Sequence, residues 1–180
     1  APDLAVDGFL CPGHVAVITG SDAFAFLPRE FGLPAVVSGF EPADLLFSIY
    51  RLAEMLRQKA PALENEYTRL VCPEGNPAAQ SAMERVFLPT DSLWRGLGTI
   101  PNSGLALREA FSPWDAAKKF GFSPSPTVEL AGCQCGEVTR GACRPEQCPL
   151  FGRVCTPADP VGPCMVSSEG ACAAAYRYQT

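Results

Sequence analysis

Clustered positive charge is absent from this sequence. Lys and Arg number 14 against 19 Asp and Glu, and they occur singly, so the net charge of −5 argues against a nucleic-acid surface. Long apolar runs are missing too. Glycine, proline or a charge interrupts each one well short of the roughly 20 apolar residues that cross a bilayer, so no membrane span is expected. No basic segment followed by an apolar stretch and a small-residue cleavage site opens the chain, which gives no secretory signature and points to the reducing cytoplasm. Internal repeats and low-complexity tracts are lacking, and there is one histidine, His14. What remains, 47% hydrophobic and 18% charged over 180 residues, suits a water-soluble chain with one sizeable core and a small appended lobe.

Cysteine, by contrast, is abundant and unevenly placed. Of nine cysteines, seven fall between Cys133 and Cys172. Gly132, Gly136, Pro149, Pro163 and Gly170 lie beside or close to them and let the backbone turn tightly around a shared centre. Disulfides, a zinc site and an iron–sulfur cluster compete for such a set. An odd number strands one thiol if all the others pair. No C-x2-4-C zinc knuckle is expected, and the tightest pair is the C-x-C of Cys133 and Cys135. In extended backbone these two share a face, so both approach a cofactor, or one ligates while the other does separate chemistry. Long, unequal gaps suit a larger cofactor reached from separate loops. Spacing alone does not choose four ligands, and a zinc-binding or electron-transfer module is the competing reading.

Up to residue 121 the chain alternates short apolar runs with helical patterns, which predicts an α/β fold with a mostly parallel sheet flanked by helices. Residues 8–11 read as a strand stopped by Pro12 and Gly13, with a helix starting after the proline and His14 at the strand's carboxyl end. Ligands bind at that edge of open α/β sheets, although a histidine bracing the turn is the plainer alternative. Val36 and Val37 form a second strand, followed by a helix from Glu41 in which Leu45, Ile49, Leu52 and Leu56 make one buried stripe. Glu41 is either a first-turn carboxylate complementing the helix dipole or a site residue. Residues 67–72 read as a third strand, residues 77–87 as a helix with Ala78, Ala82 and Val86 on one side, and Cys72 as a core or edge thiol. Gly96, Gly98 and Gly104 lack the Lys-Ser or Lys-Thr of a phosphate loop and read as a packed turn. A short helix capped by Ser112 and ended by Gly121 precedes a proline-containing linker at residues 122–127. The expected division is an α/β domain at 1–125 and a small irregular cysteine-rich lobe at 126–180, which in the cluster reading is an iron–sulfur lobe.

The segment CPLFGRVCTPADPVGPCMVSSEGACAAAYRY resembles the carboxyl-terminal signature of the HypD family, proteins that mature [NiFe] hydrogenases. That family's C-x14-C-x6-C-x16-C pattern is reproduced without gaps by Cys133, Cys148, Cys155 and Cys172. PGHV at His14, GFEP at Glu41 and the WRGLG stretch are similar to further HypD motifs, with Ala16 where the family usually has serine after PGHV. The resemblance implies a [4Fe–4S] cluster on those four cysteines, with Cys135 and Cys164 as a redox pair beside it, as in ferredoxin–thioredoxin reductases. Cys143 has no implied role. It further implies assembly of an Fe(CN)2CO unit with a HypC-like small chaperone and a HypE-like cyanide donor. Members of the family are about twice this long, and the half carrying a CGxHxH-type motif is not in this sequence, so a fragment or a truncated homologue is expected.

Overall fold

Val36 and Val37 are β-branched and bracketed by small residues, in a run too short for a helix and suited to burial on both faces. In the computed structural model, which describes residues 5–94, 96–122 and 131–178, this run is β2 (Ala35–Ser38), buried throughout. It is the centre of a parallel sheet between β1 (Phe9–Pro12) and β3 (Leu63–Asn65). Cys11 pairs with Val37 and Pro12 with Ser38, which brings the carboxyl ends of β1 and β2 side by side. Parallel neighbours need crossovers. Here α1 (Gly13–Thr19) and α2 (Phe26–Phe31) link β1 to β2, and α3 (Pro42–Gln58) links β2 to β3. Because side chains alternate across a strand, Ala35 and Val37 join Cys11, Ala16, Leu27 and Val71 in one core. Ser38 faces α3 instead, where the Ser48 hydroxyl donates to Ser38 Oγ at 2.9 Å. With α4 (Pro77–Val86) these elements make up one compact unit, Asp7–Val86.

Three local expectations are corrected here. The third strand is Leu63–Asn65 and not residues 67–72. Asn65 explains the difference: its Oδ1 accepts the Tyr67 N–H at 3.0 Å and its Nδ2 donates to the Val71 carbonyl at 2.9 Å, curling the following residues into a turn. The stripe on α3 is not buried. Leu45, Ile49 and Leu56 are 37%, 51% and 43% exposed, while Ser48 and Met55 face inward. At 100° per residue the stripe lies about 80° round the helix from those two, beyond what a three-stranded sheet covers. On α4, Ala78 and Ala82 are exposed; the helix is held instead by Gln80, whose Nε2 donates to the carbonyls of Ile18 and Glu74, each at 2.8 Å.

The second unit comprises Ala1–Val6 and Phe87–Thr180. The glycine-rich stretch expected as a turn is an antiparallel hairpin, β4 (Phe87–Trp94) and β5 (Gly98–Leu107). Pro89 and Pro101 disguise it in the sequence, and a two-stranded ribbon tolerates them because each strand has an unpaired edge. A register shift between Thr90 and Ser92 is fixed by Asn102, at φ 52°, whose N–H donates to Asp91 Oδ1 at 3.0 Å. After a 3-10 turn (Glu109–Trp114), α5 (Ala116–Phe120) is capped by Asp115 and not by Ser112: its carboxylate accepts from the N–H groups of Ala117 and Lys118. Gly121 ends it at φ 65°. The cysteine-rich region follows with α6 (Cys135–Thr139), α7 (Pro163–Val166) and α8 (Ala171–Tyr178). The linker reading and the 125/126 boundary fall on residues outside the described ones, and the two compact units part between Val86 and Phe87. The architecture is thus mixed α/β, with a small parallel sheet, helices and a cysteine-rich region. Among the described residues no helix is long and apolar enough to cross a membrane.

The buried serine pair makes a directional prediction. Ser38 Oγ donates onward to the Gly39 carbonyl at 2.9 Å, so it keeps a partner when Ser48 is removed. Ser48 loses the acceptor of its hydroxyl when Ser38 is removed. Ser38→Ala should therefore cost more than Ser48→Ala, about 1–3 kcal/mol against about 1, as read by urea unfolding; the reverse order would contradict this arrangement.

Candidate functional site

The cysteine-rich region is built around glycines that leave room for sulfur. A Cβ at Gly162 would overlap Cys135 Sγ and come within 2.8 Å of Cys133 Sγ, so this residue must be glycine for the two thiols to sit where they do. A Cβ on Gly170 would strike the Cys164 backbone, and one on Gly136 would strike the Gly96 carbonyl in the hairpin turn. Gly136 and Gly170 were readable as turn formers. Gly162 was not singled out, and its only signal is the Gly-Pro dipeptide before Cys164.

With that packing, Cys135 Sγ lies 2.7 Å from Cys164 Sγ, and Cys164 Sγ lies 3.0 Å from Cys172 Sγ. Cys155 and Cys172 share a small core with Val138, Met165 and Ala173, and Cys143 and Cys164 pack against its rim. Cys155 Sγ accepts the Val161 N–H at 3.4 Å. Cys148 is buried, with its sulfur 3.9 Å from the Gly132 carbonyl. Cys143 turns toward Gln134 Oε1 at 3.7 Å. Its C-x4-C spacing to Cys148 is the outer limit of the C-x2-4-C zinc knuckle, which corrects the expectation that the sequence holds no such knuckle. Cys11 is in the core of the other unit and Cys72 is exposed. Among the described residues, no group of three or more His, Cys, Asp or Glu side chains is arranged to hold a metal ion. The closest sulfur contacts run from Cys135 through Cys164 to Cys172.

Burial dominates the electrostatics of these thiols. It pushes Cys164 up to about 12 from an ordinary 9.0, and raises Cys133, Cys135 and Cys172 in the same direction. Neighbouring sulfur adds to this: Cys172 feels Cys135, Cys148 and Cys155, and Cys133 feels Cys135 and Cys148. Cys135 and Cys164 belong to this set of neighbours as fully as Cys133 and Cys172 do, so electrostatic proximity does not single out four of the thiols.

In the other unit, His14 and Glu41 lie just past the carboxyl ends of β1 and β2, which are parallel neighbours. The His14 ring sits 5.3 Å from Phe40, centroid to centroid. Glu41 is the N-cap of α3 but makes no side-chain capping bond; its carboxylate faces the Arg69 guanidinium at 3.4 Å. Arg69 forks onto Asp44 at 2.9 and 2.6 Å and holds that carboxyl below the usual range. Neither Tyr67 nor Arg69 stood out in the sequence, since both sat in the misread strand.

Fold and thiols together define the class: a mixed α/β protein with a cysteine-rich region. The family model HypD, described as "Hydrogenase formation hypA family", matches residues 1–179, and the chain belongs to that family. It is 46% identical over 179 residues to the hydrogenase maturation factor HypD of Azotobacter vinelandii, covering 99% of this chain and 47% of that protein. The HypD of Escherichia coli K12 is 45% identical, with 99% and 48% covered. The hydrogenase expression/formation protein HupD of Azotobacter chroococcum is 46% identical, with 99% and 47% covered. The chain spans about half the length of these curated relatives.

Gly162→Ala should displace Cys135 and so lower the yield of a Cys135–Cys164 crosslink formed by a short bifunctional thiol reagent on the metal-free chain. Peptide mapping measures it, and an unchanged yield would refute the packing role of Gly162.

Proposed function

We propose that this chain supplies the thiol-based redox part of a hydrogenase maturation factor, with Cys133, Cys148, Cys155 and Cys172 holding a [4Fe–4S] cluster. The observation that carries the reading is the 2.7 Å contact of Cys135 with Cys164, two cysteines left free by that ligand set, in a chain of the HypD family. The donor set fits, because the four thiols are partly or fully buried and sulfur is the ligand iron–sulfur clusters use. When bound, such a cluster supplies a one-electron centre. Cys135 and Cys164 would cycle between dithiol and disulfide: closing the S–S bond releases two protons and two electrons, one to the cluster and one to an external one-electron acceptor, and an external dithiol reductant reopens the bond by exchange. A reducing cytoplasm suits a pair that must reopen. In this reading the Fe(CN)2CO unit is cargo, assembled with a HypC-like chaperone and a HypE-like cyanide donor, and His14 and Glu41 serve a second site at the sheet edge. The rival is a zinc-binding or electron-transfer module without maturation activity, which the Cys143–Cys148 spacing favours.

Anaerobic reconstitution should give a brown protein with about four irons and four sulfides per chain. Serine at 133, 148, 155 or 172 should degrade the cluster, whereas serine at 143 or 72 should leave it intact. Colourless protein carrying stoichiometric zinc, or equal loss on changing Cys143, would overturn the assignment. Thiol trapping in oxidised and reduced samples should recover Cys135 and Cys164 as a disulfide in the oxidised one only; if both stay alkylated in each state, the redox pair is refuted.

A further inference from the structure

The chain leaves β1 and β2 at the same sheet edge, each time through a buried glycine: Gly13 opens α1 and Gly39 opens the loop before α3. A Cβ on Gly13, after β1, would lie 2.5 Å from Tyr67 Cδ1 and 2.5 Å from the Ser38 carbonyl. A Cβ on Gly39, after β2, would lie 2.8 Å from Tyr67 Cδ2 and collide with the Asp44 carboxylate. One edge of the Tyr67 ring therefore rests on each glycine backbone, and both positions exclude a side chain for the same reason. The ring itself is fixed by its own turn: Asn65 accepts the Tyr67 N–H, and the Tyr67 carbonyl accepts the N–H groups of Leu70 and Val71, each at 3.0 Å. Arg69 then covers the ring, with its guanidinium carbon 4.5 Å from the centroid. From there it forks onto Asp44 and reaches Glu41.

We propose that Tyr67 and Arg69 are positioning residues for the site formed by His14 and Glu41: the Tyr67 ring sets the spacing between the start of α1 and the loop after β2, and Arg69 orients the Glu41 carboxylate. The inference rests on the reading that His14 and Glu41 serve a site. Each of the three parallel strands then contributes the segment that follows its carboxyl end, the third one by packing. Tyr67 acts through its ring and Arg69 through its fork, so conservative variants separate the two roles. Tyr67→Phe keeps the wedge, and Arg69→Lys keeps charge without the planar fork.

His14 is the only histidine, which makes its ring resonances a clean local reporter. In the 180-residue chain, Tyr67→Leu and Gly13→Ala should each shift the His14 signals and weaken the nuclear Overhauser contact to Phe40, while Tyr67→Phe should preserve both. Unchanged His14 signals in folded Tyr67→Leu and Gly13→Ala proteins would overturn the wedge. Should Tyr67→Leu fail to fold, Gly13→Ala with Tyr67→Phe decides the point. The second arm measures hydrogenase maturation in cells by a full-length family protein carrying this chain as its matching half. Arg69→Gln should reduce maturation by on the order of tenfold or more, and the exchanged pair Arg69→Asp with Asp44→Arg should restore part of it. Full maturation by Arg69→Gln would overturn the role of Arg69. If His14→Ala and Glu41→Gln also mature hydrogenase fully, the site reading itself has failed; if they abolish maturation and Arg69→Gln does not, only this inference has.

Discussion

The cysteine-rich region depends on burying sulfur. Of the five residues in its core, Cys155, Cys172 and Met165 carry sulfur, and the other two are Val138 and Ala173. Leu150, Phe151 and Val161 pack against this core from partly buried positions and add apolar area, at roughly 25 cal/mol for each square ångström buried. A ligand held by these thiols would add to the stability of this region, because a ligand that binds only the folded form adds its binding free energy to stability. The unit at Asp7–Val86 has no such dependence. Its core of Ala16, Leu27, Ala35, Val37 and Val71, with Cys11 as a small hydrophobe, is an ordinary apolar one.

Legibility in the sequence followed how local each determinant is. β1, β2 and α3 were readable because a β-branched run, a stopping Pro-Gly and a proline at the helix start act within a few residues. β3 was not, because Asn65 diverts the chain through its side chain and leaves a better-looking strand pattern just beyond the true one. The hairpin was hidden by prolines that only a central strand would forbid. The α3 stripe had the right period, but burial depends on how wide the sheet is, and periodicity carries no information on that.

The same split runs through the two candidate sites. His14, Glu41 and the cysteines stood out as residue types, whereas Tyr67, Arg69 and Gly162 make their contacts with partners far along the chain. Gly13, Gly39 and Gly162 look alike in sequence and do different things. The first two admit one aromatic ring close to backbone; the third admits two thiols. A glycine in a motif thus announces a close approach without naming what approaches.

Thiol burial also gives the metal-free cysteine-rich region a definite response to pH, which ligation of a metal would reverse. In the metal-free chain Cys164 is raised by burial from 9.0 to about 12, so the folded form prefers the proton. That preference stabilises the fold fully below about pH 9 and is lost as pH climbs toward 12. A bound metal reverses the sign for its own ligands, because a thiol must lose its proton to coordinate. Cys172 is raised by burial in the metal-free chain, so its ligation would have to overcome that burial and would become easier as pH rises. In the metal-free chain Cys135 and Cys164 are both raised by burial and in contact, which makes them slow to form the thiolate that starts a disulfide; Cys164 also touches Cys172, so coordination at Cys172 would alter it.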